Sequence, residues 1–243
     1  MEIYFFLSKI ILISAITFLL LSTKREFKID YFPQQKWSVR DILPVYWTFV
    51  FISIITVIFL RTNSLVRLHI LVSVITTLLA GFVLFFAIKR IMGKRRLLPL
   101  NVLGAKSSDI YWILLFTAIQ FGVLLILLYD RSSVESYSRI LLFLGYVSLA
   151  LIFWPIIESV LYLGMMFIPT SRIVGLVKGA ILISLLQALS HFNHNVIEMV
   201  INFTLFGLLG CYFYIKAKRI IIPLLLHSAI NFFVLLHDTK LLS

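Results

Sequence analysis

The chain has 243 residues, 61% of them apolar and 13% charged, against roughly 45–50% and about 25% in soluble globular domains. That composition, with a mean hydropathy of +1.07, excludes a soluble enzyme, a disordered tail and a nucleic-acid-binding module. The formal charge of +12 comes from 22 Lys and Arg against 10 Asp and Glu; nearly all the basic residues lie between apolar runs, so they predict topology and contact with membrane lipids, with no nucleic-acid partner.

Eight apolar runs predict an all-α polytopic membrane protein, with helices over residues 4–22, 42–60, 68–88, 110–129, 140–168, 173–191, 196–215 and 220–236. All but the longer fifth approach the ~20 residues that a helix needs to cross ~30 Å of hydrocarbon. The first run opens on Glu2 instead of a basic cluster, and no small-residue cleavage site follows it. It is expected to be a retained span and not a signal peptide.

Positive charge alternates from loop to loop. The first loop holds Lys24, Arg25, Lys28, Lys36 and Arg40. The third holds Lys89, Arg90, Lys94, Arg95, Arg96 and Lys106, and the seventh Lys216, Lys218 and Arg219. Arg172 marks the fifth more thinly, and the even loops hold only Arg61 and Arg67, then Arg131 and Arg139, then none. The positive-inside rule then predicts a multi-pass protein of the cell membrane with both termini outside.

Within the first four runs the polar residues singled out are Lys9 and Gln120, and Lys9 is close enough to a span end to snorkel. The basic segment 90–109, with Gly93, Pro99 and Gly104 as helix breakers, divides the chain into N-terminal spans (1–109) and a C-terminal bundle (110–243). The single cysteine, Cys211, lies inside an apolar run and has no partner for an internal disulfide.

The C-terminal bundle differs from the front in carrying ionisable groups at membrane depth. An Asp, Lys or Arg there costs at least ~2.5–3.5 kcal/mol, so such residues point to function. Glu158, Lys178, His191, Glu198 and His227 stand among Gln187, Asn193, His194, Asn202 and Asn231. Glu158 follows Pro155, which removes a backbone donor and can open the helix; the plainer alternative is an interhelical hydrogen bond. His191 belongs to a polar cluster that would equally suit a helix end. His227 and Asn231 are four residues apart, so both fall on one face, about a turn apart. Lys178 and Glu198, each near a span end, read as interfacial. Glu158 and His191 lie on consecutive antiparallel helices and meet only if the turn between them centres near residue 175, within the segment 169–179.

In order and spacing these residues resemble the CAAX protease and bacteriocin-processing (CPBP, or Abi) family of intramembrane proteases. That family carries a Glu-Glu-x-x-x-Arg helix, then Phe-x-x-x-His, then His-x-x-x-Asn. Glu158, His191, and the pair His227 and Asn231 fall on these motifs, over residues 140–236. Ser159 stands in place of the second Glu, Leu163 in place of the Arg and Gln187 in place of the Phe.

The resemblance implies a metal-independent endopeptidase that acts on a peptide or protein, lipidated C-terminal tails and leader peptides included. In that scheme Glu158 and His191 hold and activate a water, and His227 and Asn231 donate to the oxyanion. No metal or cofactor is expected. The alternatives are a catalytically silent scaffold, regulatory or bacteriocin-immunity protein of the same fold, favoured by Ser159 and Leu163; a metalloprotease using Glu158, His191 and His227, although no H-E-x-x-H occurs; and a transporter, which would need broken helices in matching halves.

Overall fold

The computed structural model describes residues 2–23, 37–62, 66–92, 106, 108–131, 148–192 and 195–238. The expected loop charges in 24–36 and 93–105, most of the segment 90–109 proposed as the division, Arg139, the first residues of the fifth run, Asn193 and His194 all lie outside them.

The described residues form eight continuous helices and no strand. They are α1 (Glu2–Ser22), α2 (Val39–Thr62), α3 (Val66–Met92), α4 (Asp109–Arg131), α5 (149–174), α6 (Leu176–Ser190), α7 (Val196–Ala217) and α8 (Ile221–Asp238). Spans expected over eight apolar runs are therefore helices in eight places.

Among the described residues, four stretches are long and apolar enough on their own to cross a membrane: Tyr4–Ser22, Val39–Phe59, Leu151–Val174 and Val196–Ala217. The sixth run departs from expectation. Its helix keeps only Leu176–Ser190, 15 residues, which rise ~22 Å, short of the ~30 Å hydrocarbon thickness.

Local chemistry sets the ends. Asp41, in the first turn of α2, accepts from the backbone N–H and the hydroxyl of Ser38, both at 2.8 Å. Asp109 accepts from the Lys106 amide in the same way at the start of α4. α7 opens on a complete capping box between Asn195 and Glu198, which satisfies two orphan donors reciprocally. Glu198 is thus a cap, and Lys178 is exposed.

The turn between α5 and α6 is a single residue, Gly175, at φ +88°. That backbone conformation suits a residue without Cβ. Pro169 and Gly179, expected to help make the turn, lie inside the two helices instead. Between α7 and α8 the chain reverses at Lys218, at φ +51°.

α5 is irregular where it matters. Its π-helical stretches Leu149–Phe153 and Ser159–Phe167 flank a short α-helical piece, Trp154–Glu158. A π-turn widens the helix and is found disproportionately at functional sites. Pro155 has no N–H for the carbonyl four residues back, and that carbonyl, Leu151, accepts from Ser228 Oγ of α8 at 2.7 Å. A third π-helical stretch, Asn202–Leu208, interrupts α7.

One buried apolar cluster joins α1, α2 and α3 to α5, α6 and α7, with Ile13, Ile42, Leu84, Leu161, Leu186 and Cys211 among its members. Tyr46 and Phe49 of α2 meet the Tyr162 ring edge-on at 6.0 and 6.2 Å. A smaller cluster of Leu151, Leu235 and Leu236, with Phe121 against it, ties α4 and α8 to the start of α5. Close helix approach needs glycine at Gly207, where an added Cβ would fall 2.3 Å from Ser184 Cβ.

Candidate active site

Glu158 closes the α-helical piece of α5, at the step into its longer π-helical stretch. His191 is the residue at which α6 ends, with φ −83° and ψ 82° turning the chain out of the helix. His227 lies in the second turn of α8. These three helices bring their polar groups to one atom, Glu158 Oε2. His191 Nε2 is 3.5 Å from it, His227 Nε2 3.7 Å and Gln187 Nε2 3.4 Å.

The separations exceed the 2.7–3.2 Å of a well-made hydrogen bond. They leave each nitrogen able to close on the carboxylate by a small shift, or to share with it a third partner bonded to both. Exposure differs across the cluster: the side chains of Glu158 and His227 are 5% and 8% exposed, and that of His191 is 22%. The more accessible side of the cluster is therefore the break between α6 and α7.

Asn231 follows His227 by one turn on α8 and is half-buried. It shares the helical face of His227 through its spacing; the atoms measured at Glu158 Oε2 belong to the two histidines and Gln187.

Gln187 matters more here than its sequence suggests. It occupies the position where the resembled motif has Phe, yet it is buried and donates to the carboxylate. Ser159 and Leu163, the other departures, are both buried. They are four residues apart, about one turn, and neither carries a charge, so no buried charge is left unpaired at these places.

A shell of polar side chains holds the end of α6. Ser190 Oγ donates to the Gln187 carbonyl at 2.7 Å, which uses its one proton, so Tyr162 donates to Ser190 Oγ at 2.6 Å. Tyr46 of α2 donates to the Leu186 carbonyl at 3.3 Å. Lys9 of α1 is 1% exposed and donates to the His191 carbonyl at 2.8 Å. The expectation that Lys9 snorkels is therefore incorrect: the carbonyl at the end of α6 holds its ammonium group inside the bundle.

His227 is held from two sides. The Phe206 ring packs on its imidazole with centroids 4.2 Å apart. Its neighbour Ser228 is bound by Gln120 of α4, which donates to the Ser228 carbonyl at 3.1 Å and whose Oε1 lies 3.0 Å from the Ser228 hydroxyl, competing for its one proton with the Leu151 carbonyl at 2.7 Å. Tyr46, Tyr162, Ser190 and Phe206 gave no sequence signal, being ordinary residues of apolar runs. Gln120 and Lys9 gave one, as polar groups in such runs, although neither pointed to its partner.

Among the described residues no group of three or more His, Cys, Asp or Glu side chains has the geometry of a metal site. What the cluster offers is a carboxylate in apolar surroundings, two imidazoles and an amide. It has the parts for taking a proton and for donating hydrogen bonds to a developing negative charge.

Comparison with known proteins yields one family. No curated protein and no solved structure matches the chain. Residues 140–233, which hold Glu158, His191, His227 and Asn231, match the family described as type II CAAX prenyl endopeptidase Rce1-like, and over that span this membrane protein is similar to CAAX-type intramembrane proteases.

Proposed function

We propose that this protein is an intramembrane endopeptidase in which Glu158 activates a water for attack on a peptide bond. The observation that supports this reading best is the convergence of three side-chain nitrogens on one buried carboxylate oxygen, within the segment that is similar to a protease family. A water bonded to both Glu158 and His191 would lose its proton to the carboxylate as its oxygen attacks the carbonyl carbon. His227 and Asn231 would donate hydrogen bonds to the oxyanion that forms. The same carboxyl would return the proton to the leaving amine, so the cycle closes without a covalent intermediate.

The substrate is a peptide or protein that reaches the site from the lipid. By similarity to the named family it includes C-terminal tails bearing a prenyl group. The bilayer supplies the apolar surroundings, and the positive-inside rule applied to the basic loops favours both termini outside. The division of labour follows the chain: 110–243 carries the chemistry, and 1–109 supplies helices that pack against it.

The test is cleavage of a prenylated CAAX reporter peptide, beside its unprenylated counterpart, by protein reconstituted in lipid vesicles. Wild type should cleave and Glu158→Gln should not. His227→Ala should lose about 10²–10³ in rate, the usual effect of one oxyanion donor. Activity should persist in strong chelators. Cleavage by Glu158→Gln at the wild-type rate would overturn the proposal, and chelator-sensitive activity restored by zinc would replace it with a metal mechanism.

A further inference from the structure

Lys9 is a buried cation outside the segment that is similar to the protease family, and the hydrolysis above makes no use of it. It lies in α1, is 1% exposed, donates to the His191 carbonyl at 2.8 Å and stands over the Phe5 ring at 4.6 Å. The neighbouring Phe6 ring meets Phe192 at 5.1 Å. One face of α1 therefore holds two consecutive residues of the turn, His191 through its backbone and Phe192 through its ring.

The reason for a cation at this place is the end of α6. The last carbonyls of a helix have no intrahelical donor, and they carry partial negative charge. α6 is too short to bring them to the far membrane surface, so protein must satisfy them. Ser190 serves Gln187, the Phe192 amide serves Ser190 at 3.1 Å, and Lys9 serves His191. The His191 contact differs from the other two because the backbone it fixes bears an imidazole aimed at Glu158. Packing alone would be met by Leu or Met, which avoid the cost of burying an ammonium group.

We infer that Lys9 is a positioning residue of the candidate active site: it fixes the backbone of His191 and so sets the approach of that imidazole to Glu158. The inference rests on the proposed protease reading for its catalytic consequence and on the structure alone for its mechanical one. It makes α1 part of the site without placing any of its atoms on the substrate.

The experiment compares wild type, Lys9→Met and Lys9→Arg in lipid by two measurements. The first is kcat and KM on the reporter peptide. The second is amide hydrogen exchange over residues 190–195, read by mass spectrometry, against the rest of the bundle. Lys9→Met should lower kcat about 10–100-fold with KM within about threefold, and should raise exchange at the turn at least tenfold with α2 and α5 unchanged. Lys9→Arg, which keeps a donor, should recover most of both effects.

Wild-type kcat in Lys9→Met overturns the inference. So does a rise in exchange spread evenly over the whole bundle, which would make Lys9 a folding residue only. Glu158→Gln, run in parallel, separates the two ideas. If it cleaves like wild type, the protease reading has failed and the exchange measurement alone decides whether Lys9 fixes the turn.

Discussion

Gly207→Ala should destabilise the bundle by about 1–3 kcal/mol, the usual range for an overpacked core, while Gly122→Ala should stabilise it by about 0.5–1 kcal/mol. A Cβ on Gly207 would lie 2.3 Å from Ser184 Cβ, 2.6 Å from its Oγ and 2.7 Å from its Cα, where ordinary contact begins near 3.4 Å. Rotating the Ser184 side chain relieves only the hydroxyl, so α6 and α7 must part by an amount on the order of 1 Å, into a core packed at crystal-like density. Gly122, inside α4, would meet nothing within 4 Å, so Ala there gains the helix-propensity difference without a clash.

The displacement in Gly207→Ala also reaches the site. Phe206 is the preceding residue and packs on His227, and Ser184 lies about one turn before Gln187, which donates to Glu158. Reversible unfolding in mixed micelles, followed by helical circular dichroism, measures the stability of both variants, and peptide cleavage measures the consequence. If Gly207→Ala is as stable as wild type within about 0.3 kcal/mol, or Gly122→Ala falls as far as Gly207→Ala, the steric reasoning is refuted.

Three further substitutions test the polar contacts. Gln187→Leu removes a hydrogen bond to the carboxylate that at 3.4 Å is long, so it should cost at most about 1.5 kcal/mol in the same unfolding assay, the low end for bonds to charged groups, and kcat should fall by about tenfold. Gln120→Leu removes the side-chain donor that the Ser228 carbonyl has from α4 and should cost about 0.5–1.5 kcal/mol in the same unfolding assay; the combination with Ser228→Ala should cost less than the sum of the two alone. Asp109→Ala breaks the ion pair with Arg219 that ties α4 to the turn between α7 and α8, and with it the contact to the Lys106 amide. Because the Arg219 side chain is 31% exposed, the expected loss is about 1–2 kcal/mol, and a double-mutant cycle with Arg219→Ala should show positive coupling.

Helix number and order were legible because each span announces itself as an apolar run of membrane length. The requirement that Glu158 and His191 meet placed the reversal near residue 175, and Gly175 is where the chain turns. The H-x-x-x-N spacing put His227 and Asn231 on one face from periodicity alone. What stayed hidden has a common physical cause. A helix that is apolar all round gives no period from which to read its buried face, so nothing marked Lys9, Tyr46 or Tyr162 as facing the end of α6.

At the start of α5 the Leu151 carbonyl accepts from another helix, through Ser228, and local sequence does not encode such a long-range partner. Gln187 was legible as a polar residue of an apolar run and as a departure from a motif, yet neither pointed to its partner, the carboxylate 3.4 Å from its amide. The short sixth helix escaped for a related reason. Its run of apolar residues continues up to His191, and only the three-dimensional contacts show that the neighbouring turn is sealed by side chains from α1, α2 and α5.

The most direct measurement of the central claim is an experimental structure of the protein in a lipid nanodisc, read at the Glu158 carboxylate. The account predicts that the Nε2 atoms of His191 and His227 both lie within about 4 Å of one of its oxygens, as they do at 3.5 and 3.7 Å here. A carboxylate turned outward to the acyl chains, or separated from either imidazole by the width of a helix, would contradict it.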